Sequence, residues 1–505
     1  MAGDGSMNIS ALLDALPNSD DPLKTLIQIK TVLFAVHPSA LRDVVPNVSF
    51  SSVFDCLNSS NSEEVQTCCD ILGRLLEALQ TQALLINFNE ELLRGLENPK
   101  QPVREVCLKQ VQRAAEENPS ELMTYSDILL VIIKQLGDKS IGVAKAAGKV
   151  LINLGRNISC LQGLSQGVML EKLRNVMEQD DITRYRVHEV FIEISQNSPE
   201  ALLMCSSNGF LQPLINDMYK DDILVQLNCI EMLSQLAMCQ HGLLYLDQQG
   251  VLGKLETMMG NIESDPMMGL LLPGLIKFFG SVAFLHPKEI MTKYKTFVNM
   301  VFSYLECQDV TLRGVAVQTL GFIGSTAEGK LTFDKMGPVV PAAVERIGKL
   351  VKEPPSEQRV IALNSVANLL KLKVPDQTEE LLNLTESWFR RIAPKPMEVL
   401  HNITLQPFTE LKTAALNVYT VVAAQPWGQH MFKEHPGFTE YLLDRSTETT
   451  KEGKDGKFEI VKTLVESPTA VEIFGQPYFL RLRTYHKEGP YYVRTESSVA
   501  SEGDN

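Results

Sequence analysis

The sequence predicts an all-α array of stacked helical hairpins, and three observations carry that prediction. A motif recurs about every forty residues, apolar positions within each copy fall three, four or seven residues apart, and strand signals are weak throughout. The period is plainest in Gln101-Pro-Val103-Arg-Glu-Val-Cys107, Ile141-Gly-Val143-Ala-Lys-Ala-Ala147 and Asp181-Ile-Thr183-Arg-Tyr-Arg-Val187. Extending that column gives Cys69, Cys107, Ala147, Val187, Cys229, Gly274, Ala316, Ala362, Ala415 and Val461, at intervals of 38 to 53 residues.

Each anchor opens an amphipathic pattern. Val190, Phe191 and Ile194 follow Val187, Leu320 and Ile323 follow Ala316, and Val418 and Val422 follow Ala415, so each copy contains a helix of three or four turns. A second apolar helix and a polar turn precede most of them, as in Leu129–Ser140 and Val301–Asp309. Small residues at most anchors suit helices crossing at the close end of the usual range, roughly 8 Å between axes. One hairpin cannot bury its apolar face alone, whereas stacked neighbours can, and the expected fold is an α-solenoid of about ten HEAT/armadillo-like repeats.

The solenoid is expected to occupy residues 23–493 as a single domain, behind a partly flexible N-terminal segment, 1–22. Residues 494–505 carry little that could pack and read as a disordered tail. Polar interruptions fall at 59–62, at 352–355 and at 447–457, the last reading as an exposed loop rich in Lys and Gly.

Composition narrows the partners. Of 505 residues 44% are apolar and 21% charged, which supplies a large core, and a formal net charge of −14 disfavours nucleic acid as the main partner. Met1–Met7 lacks the basic and apolar regions of a secretory signal, which points to the cytosol, with the nucleus as a second compartment. Nine cysteines form no C-x-x-C pair and sit mostly in apolar runs, as reduced core residues would. The apolar stretch Met267–Leu285 is interrupted by Pro273 and Lys277 and reads as buried helix, not a membrane span.

The search for chemistry returns little. Gly324-Ser-Thr-Ala-Glu-Gly329-Lys330-Leu331 matches the first seven positions of a phosphate-binding loop but has leucine where the magnesium-binding hydroxyl belongs, and reads as an inter-repeat turn. Cys239-Gln-His241 is the one place where those residue types come close, and no histidine or cysteine spacing supplies a metal site. No catalytic, cofactor-binding or metal-binding residue is assigned, and an enzyme is not expected.

Surface recognition is the alternative. The helix after Asp180 opens with Thr183-Arg184-Tyr185-Arg186 and carries Arg186, Glu189 and Glu193 on the face taken to point outward; Arg184 joins them as a docking candidate, and the equivalent positions further on are Gln226, Glu231, Arg313 and Gln318. In a stacked array such faces align into a strip that can dock a partner, although solvated ion pairs are the commoner meaning of such charges. The aromatic and basic segment Pro477–Tyr492, with Arg481 and Arg483, either caps the last repeat or contacts a partner directly.

Longer strings carry a resemblance. Asp181–Ser195, Leu272–Gly280, Thr385-Glu-Ser-Trp-Phe389, Gln425-Pro-Trp427, Pro436–Ser446 and Ala470–Tyr492 resemble the family of the proteasome non-ATPase regulatory subunit five, over nearly the whole chain and most densely beyond Asp180. The resemblance implies a chaperone for assembly of the base of the 26S proteasome regulatory particle. It also implies a HEAT- or armadillo-like array that holds the C-terminal domain of one AAA ATPase subunit. Members of the family escort a module with a large non-ATPase scaffold subunit and leave before the mature particle forms. The competing binding module is an armadillo-type adaptor for another protein, such as nuclear-transport cargo. That reading calls for regular tryptophan and asparagine ladders, and the chain has only Trp388 and Trp427.

Overall fold

The computed structural model describes residues 2–262 and 268–493. It contains thirty-three α-helices, α1 (Ala2–Ala15) to α33 (Gln476–Glu488), and no strand among the described residues. The fold is an α-solenoid. The chain forms two compact units, one of residues 1–220 with 239–245, the other of 221–238 with 246–505.

In the first unit α2 (Pro22–Ala35), α5 (Ser62–Ala78), α7 (Gln101–Glu117), α10 (Ile141–Gly155) and α13 (Asp181–Ser195) pack in succession. In the second the series is α16 (Ile223–Leu236), α19 (Leu272–Leu285), α22 (Val310–Ile323), α25 (Ser356–Leu370), α28 (Thr409–Ala423) and α31 (Lys451–Glu466), closed by α33. All of these but α2 and α33 carry an anchor. Asn, Ser or Asp stands before α2, α5, α10, α13, α16 and α22 because its side-chain oxygen satisfies a free N–H of the first turn, as Asp180 does for Thr183 at 2.7 Å.

Most repeats contain a third, short helix that the hairpin reading did not include. After α22 come α23 (Ala327–Asp334) and α24 (Val339–Leu350), and after α28 come α29 (Pro426–Glu434) and α30 (Phe438–Leu443). In two of these short helices the third residue tucks under the end of the long one and must be small. It is Gly329 in α23 and Gly428 in α29, where a Cβ would overlap the carbonyls of Ile323 and Val422. The apparent phosphate-binding sequence spans this junction: Gly324 caps α22, but Ala327–Leu331 form the start of α23 within the repeat, where an inter-repeat turn was expected.

The anchor register needs correction at three places. The seventh residue of the long helix is the fully buried one, which gives Cys68, Cys107, Ala147, Val187, Cys229, Ala316, Ala362, Ala415 and Lys457. Cys69 and Val461 lie beside this column, still buried, and Gly274 lies outside it in the first turn of α19, half-buried. A Cβ on Gly274 would stand 3.7 Å from Ile230 and Leu227, an ordinary contact, whereas on Gly321 it would stand 2.8 Å from the Ser365 Cα. Gly321, not Gly274, therefore marks a close crossing. Gly274→Ala is expected to leave the thermal melting temperature unchanged or raise it, since the exchange removes about 0.5–1 kcal/mol of helix penalty; a fall of several degrees would reject this placement.

Neighbouring repeats are stapled by side chains that donate to main-chain carbonyls at helix ends, where the last carbonyls have no partner within an α-helix. Arg113 reaches Leu76 O and Leu79 O at 3.0 and 2.8 Å, and Gln135 reaches Leu96 O at 2.6 Å. In the second unit Gln425 reaches Leu370 O at 2.7 Å, and Lys330 bridges Gly324 O and Lys371 O at 2.6 and 2.8 Å.

The segment expected as a loop at 447–457 is mostly helix. Residues 451–457 form the first two turns of α31, and Lys457 is fully buried because Tyr441 O, Asp444 O and Thr447 Oγ1 all accept from its ammonium. The tail expected from 494 to 505 lies outside the described residues. Met267 also does, while Leu272–Leu285 is helix α19; no helix among the described residues is long and apolar enough to cross a membrane.

Candidate partner-binding surface

The ten residues proposed for docking divide into two groups. Arg184 pairs with Asp181 at 2.8 Å and with Asp217 at 3.0 Å, and Arg186 donates to Leu136 O and Asp138 O, both at 2.9 Å. Arg313 donates to Cys307 O at 3.0 Å, and Gln226 is buried. These four are placed among interactions that hold the repeats. Glu189, Glu193, Glu231, Gln318, Arg481 and Arg483 are exposed.

The exposed residues belong to a register that can be stated simply. On most long helices the residue two places beyond the buried anchor faces solvent between two buried pairs. In the first unit that position holds Lys109, Lys149 and Glu189; in the second it holds Glu231, Gln318, Asn364, Asn417 and Glu459, with Lys277 at the matching place in the burial pattern of α19. Glu193 stands one turn beyond Glu189 on the same helix face. Lys109, Lys149, Lys277, Asn364, Asn417 and Glu459 were not among the sequence candidates, although the rule "anchor plus two" finds most of them.

The remaining candidates for chemistry are held in structural roles. His241 Nε2 lies 2.9 Å from Ser195 O, so that nitrogen carries a proton and donates it; it cannot also serve as the base for Cys239, 3.4 Å away. Burial pushes the Cys239 thiol up and holds His188 down at about 4, its Nδ1 donating to Phe210 O at 2.8 Å. The Lys330 ammonium group is fully buried and donates to two carbonyls, Gly324 O and Lys371 O. No group of three or more potential metal ligands occurs among the described residues.

The C-terminal segment closes the last repeat. Leu482 and Tyr485 of α33 are buried, and Arg445 stacks 3.7 Å from the Tyr485 ring while donating to Tyr485 O and Gly489 O at 3.1 Å. Arg481 and Arg483 stay on its outer side.

A stapled helical array whose exposed column offers charged and amide groups defines a HEAT/armadillo-class α-solenoid. The fold resembles that of importin beta, a HEAT-repeat protein, with a TM-score of 0.58 over 96% of this chain and 60% of that one, at 13% identity. A family model described as "Proteasome non-ATPase 26S subunit" matches residues 6–505. The chain is 40% identical over 496 residues to the human protein named 26S proteasome non-ATPase regulatory subunit 5, covering 98% of both. It is 39% identical to the bovine protein of that name over 98% of both chains, and 23% to the Drosophila melanogaster protein over 97% of both. The chain belongs to this proteasome non-ATPase subunit family.

Proposed function

We propose that this protein is a non-enzymatic chaperone for assembly of the regulatory-particle base of the 26S proteasome. It holds the C-terminal domain of a proteasomal AAA ATPase subunit, accompanies a large non-ATPase scaffold subunit, works in the cytosol and nucleus, and leaves before the mature particle forms. The observation that carries this reading is the 40% identity, across 98% of the chain, to a protein named as a proteasome regulatory subunit. The exposed column of charged residues on a preformed scaffold supports it, because such a surface orders little on binding and selects partners by charge. Release needs only a competing surface on the growing particle, so the chaperone itself consumes no ATP.

The test is binding of the purified chain to the isolated C-terminal domains of the ATPase subunits by size-exclusion chromatography and calorimetry. Capture of one of them without nucleotide is expected; failure to bind any, with no base subunits recovered from cell extract, would overturn the reading. Charge reversal at Glu189 and Glu193 separates docking from stability. The double Lys variant should weaken capture about tenfold with the melting temperature unchanged. Arg186→Ala should instead lower the melting temperature, because two carbonyls of a neighbouring repeat lose their donor, at roughly 1–3 kcal/mol each.

A further inference from the structure

The second unit's exposed column contains an uncharged run. Gln318, Asn364 and Asn417 each stand at the ninth residue of the consecutive helices α22, α25 and α28, and all three are exposed. Lys277 precedes the run on α19 and Glu459 follows it on α31, both exposed.

The end group of Asn or Gln offers a donor and an acceptor side by side, as a peptide group does. Three such groups in line are therefore complementary to a main chain and indifferent to its side chains. The spacing selects the conformation of that chain. Packed helices lie about 8–10 Å apart, and a polyproline II segment repeats every three residues at about 3.1 Å each, or roughly 9 Å. Its carbonyls and N–H groups make no internal hydrogen bonds, so every third one is available on the same side. In a β-strand, groups three residues apart point to opposite sides and could not all meet the row.

We infer that this row binds an extended polyproline II segment of a partner protein, its main chain held by Gln318, Asn364 and Asn417. An acidic residue of the segment lies at the Lys277 end and a basic residue at the Glu459 end. The run from α19 to α31 crosses four helix spacings and matches about twelve residues of such a segment. This site is separate from capture of a folded ATPase domain, and either can fail without the other.

The probe is a labelled peptide with two aspartates, four Ser-Pro-Ala triplets and two lysines, added to the full chain and followed by fluorescence anisotropy. A second probe reverses the order of the charges, and the inference expects one of the two to bind saturably. Asn364→Ala combined with Asn417→Ala should weaken it at least tenfold while the melting temperature stays within a degree, and Lys277→Glu should weaken it severalfold. Equal binding by the double variant would overturn the inference. So would equal binding of a peptide with the same charges and Ser-Gly-Ser triplets, since charge alone would then suffice. Charge reversal at Glu502 and Asp504 that tightened binding of the probe would assign the row to the chain's own C-terminal residues, and the partner reading would fall.

Discussion

Gly329→Ala is expected to destabilise its repeat by at least about 3 kcal/mol, the upper end of what overpacking usually costs. The added methyl would overlap the Ile323 carbonyl, and its further neighbours are the Ile323 carbonyl carbon and Thr326 Oγ1, at 2.9 Å each. Main-chain atoms at the end of a helix cannot swing aside as the tip of a side chain can. Gly428→Ala should behave alike, because Val422 O occupies the equivalent place at the end of α28. Circular dichroism melts of both variants beside Gly274→Ala make the comparison. If all three melt together, the third residue of the short helix is not the constraint described here.

The second large effect is expected at Lys457. Its ammonium satisfies Tyr441 O, Asp444 O and Thr447 Oγ1 and lies 4.3 Å from the Tyr441 ring, beside Glu448, which Lys412 and Tyr441 hold at 2.9 and 3.0 Å. Lys457→Met keeps the volume but leaves these acceptors unpaired, a loss of about 3 kcal/mol at neutral pH. Burial, opposed by Glu448 and Asp444, pushes the ammonium down to about 8 in the folded chain, from 10.5 ordinarily. Between those values the unfolded chain binds more protons than the folded one, so this lysine's contribution to stability rises with pH, and it is flat below about 8. The gap between wild type and Lys457→Met should therefore widen by about 1.4 kcal/mol per pH unit across that window. Groups common to both proteins cancel in the difference. Chemical denaturation at pH 7, 8.5 and 10 measures it, and a gap that narrows with pH would contradict the assignment.

Much of the fold is legible because burial forces a small or branched residue onto most long helices at one place. In α19 small Gly274 stands near the helix start but only half-buried, and nothing in its local sequence separates it from a buried anchor. The short helices leave no clear trace because each spans about two turns, too short to show a period. Lys457 misled for another reason: lysine and glycine together read as solvent-exposed, and nothing local announces three acceptors waiting in the preceding helix and turn. The same blindness affected the surface. Arg186 and Arg313 read as outward charges, yet the carbonyls they serve at Leu136, Asp138 and Cys307 have no signature in sequence. Glu189, Glu193, Glu231 and Gln318 read correctly as exposed, since they alternate with buried pairs on one helix face.

The staples between repeats have an evolutionary consequence. A bond from Arg113 to Leu76 O or from Gln425 to Leu370 O asks for a particular residue on one side only, since every amino acid supplies the same oxygen on the other. Half of each contact is thus immune to substitution, and no compensating change is needed when the accepting residue mutates. Sequence can therefore drift far at the accepting positions, and this chain and its insect relative share only 23% identity along 97% of both.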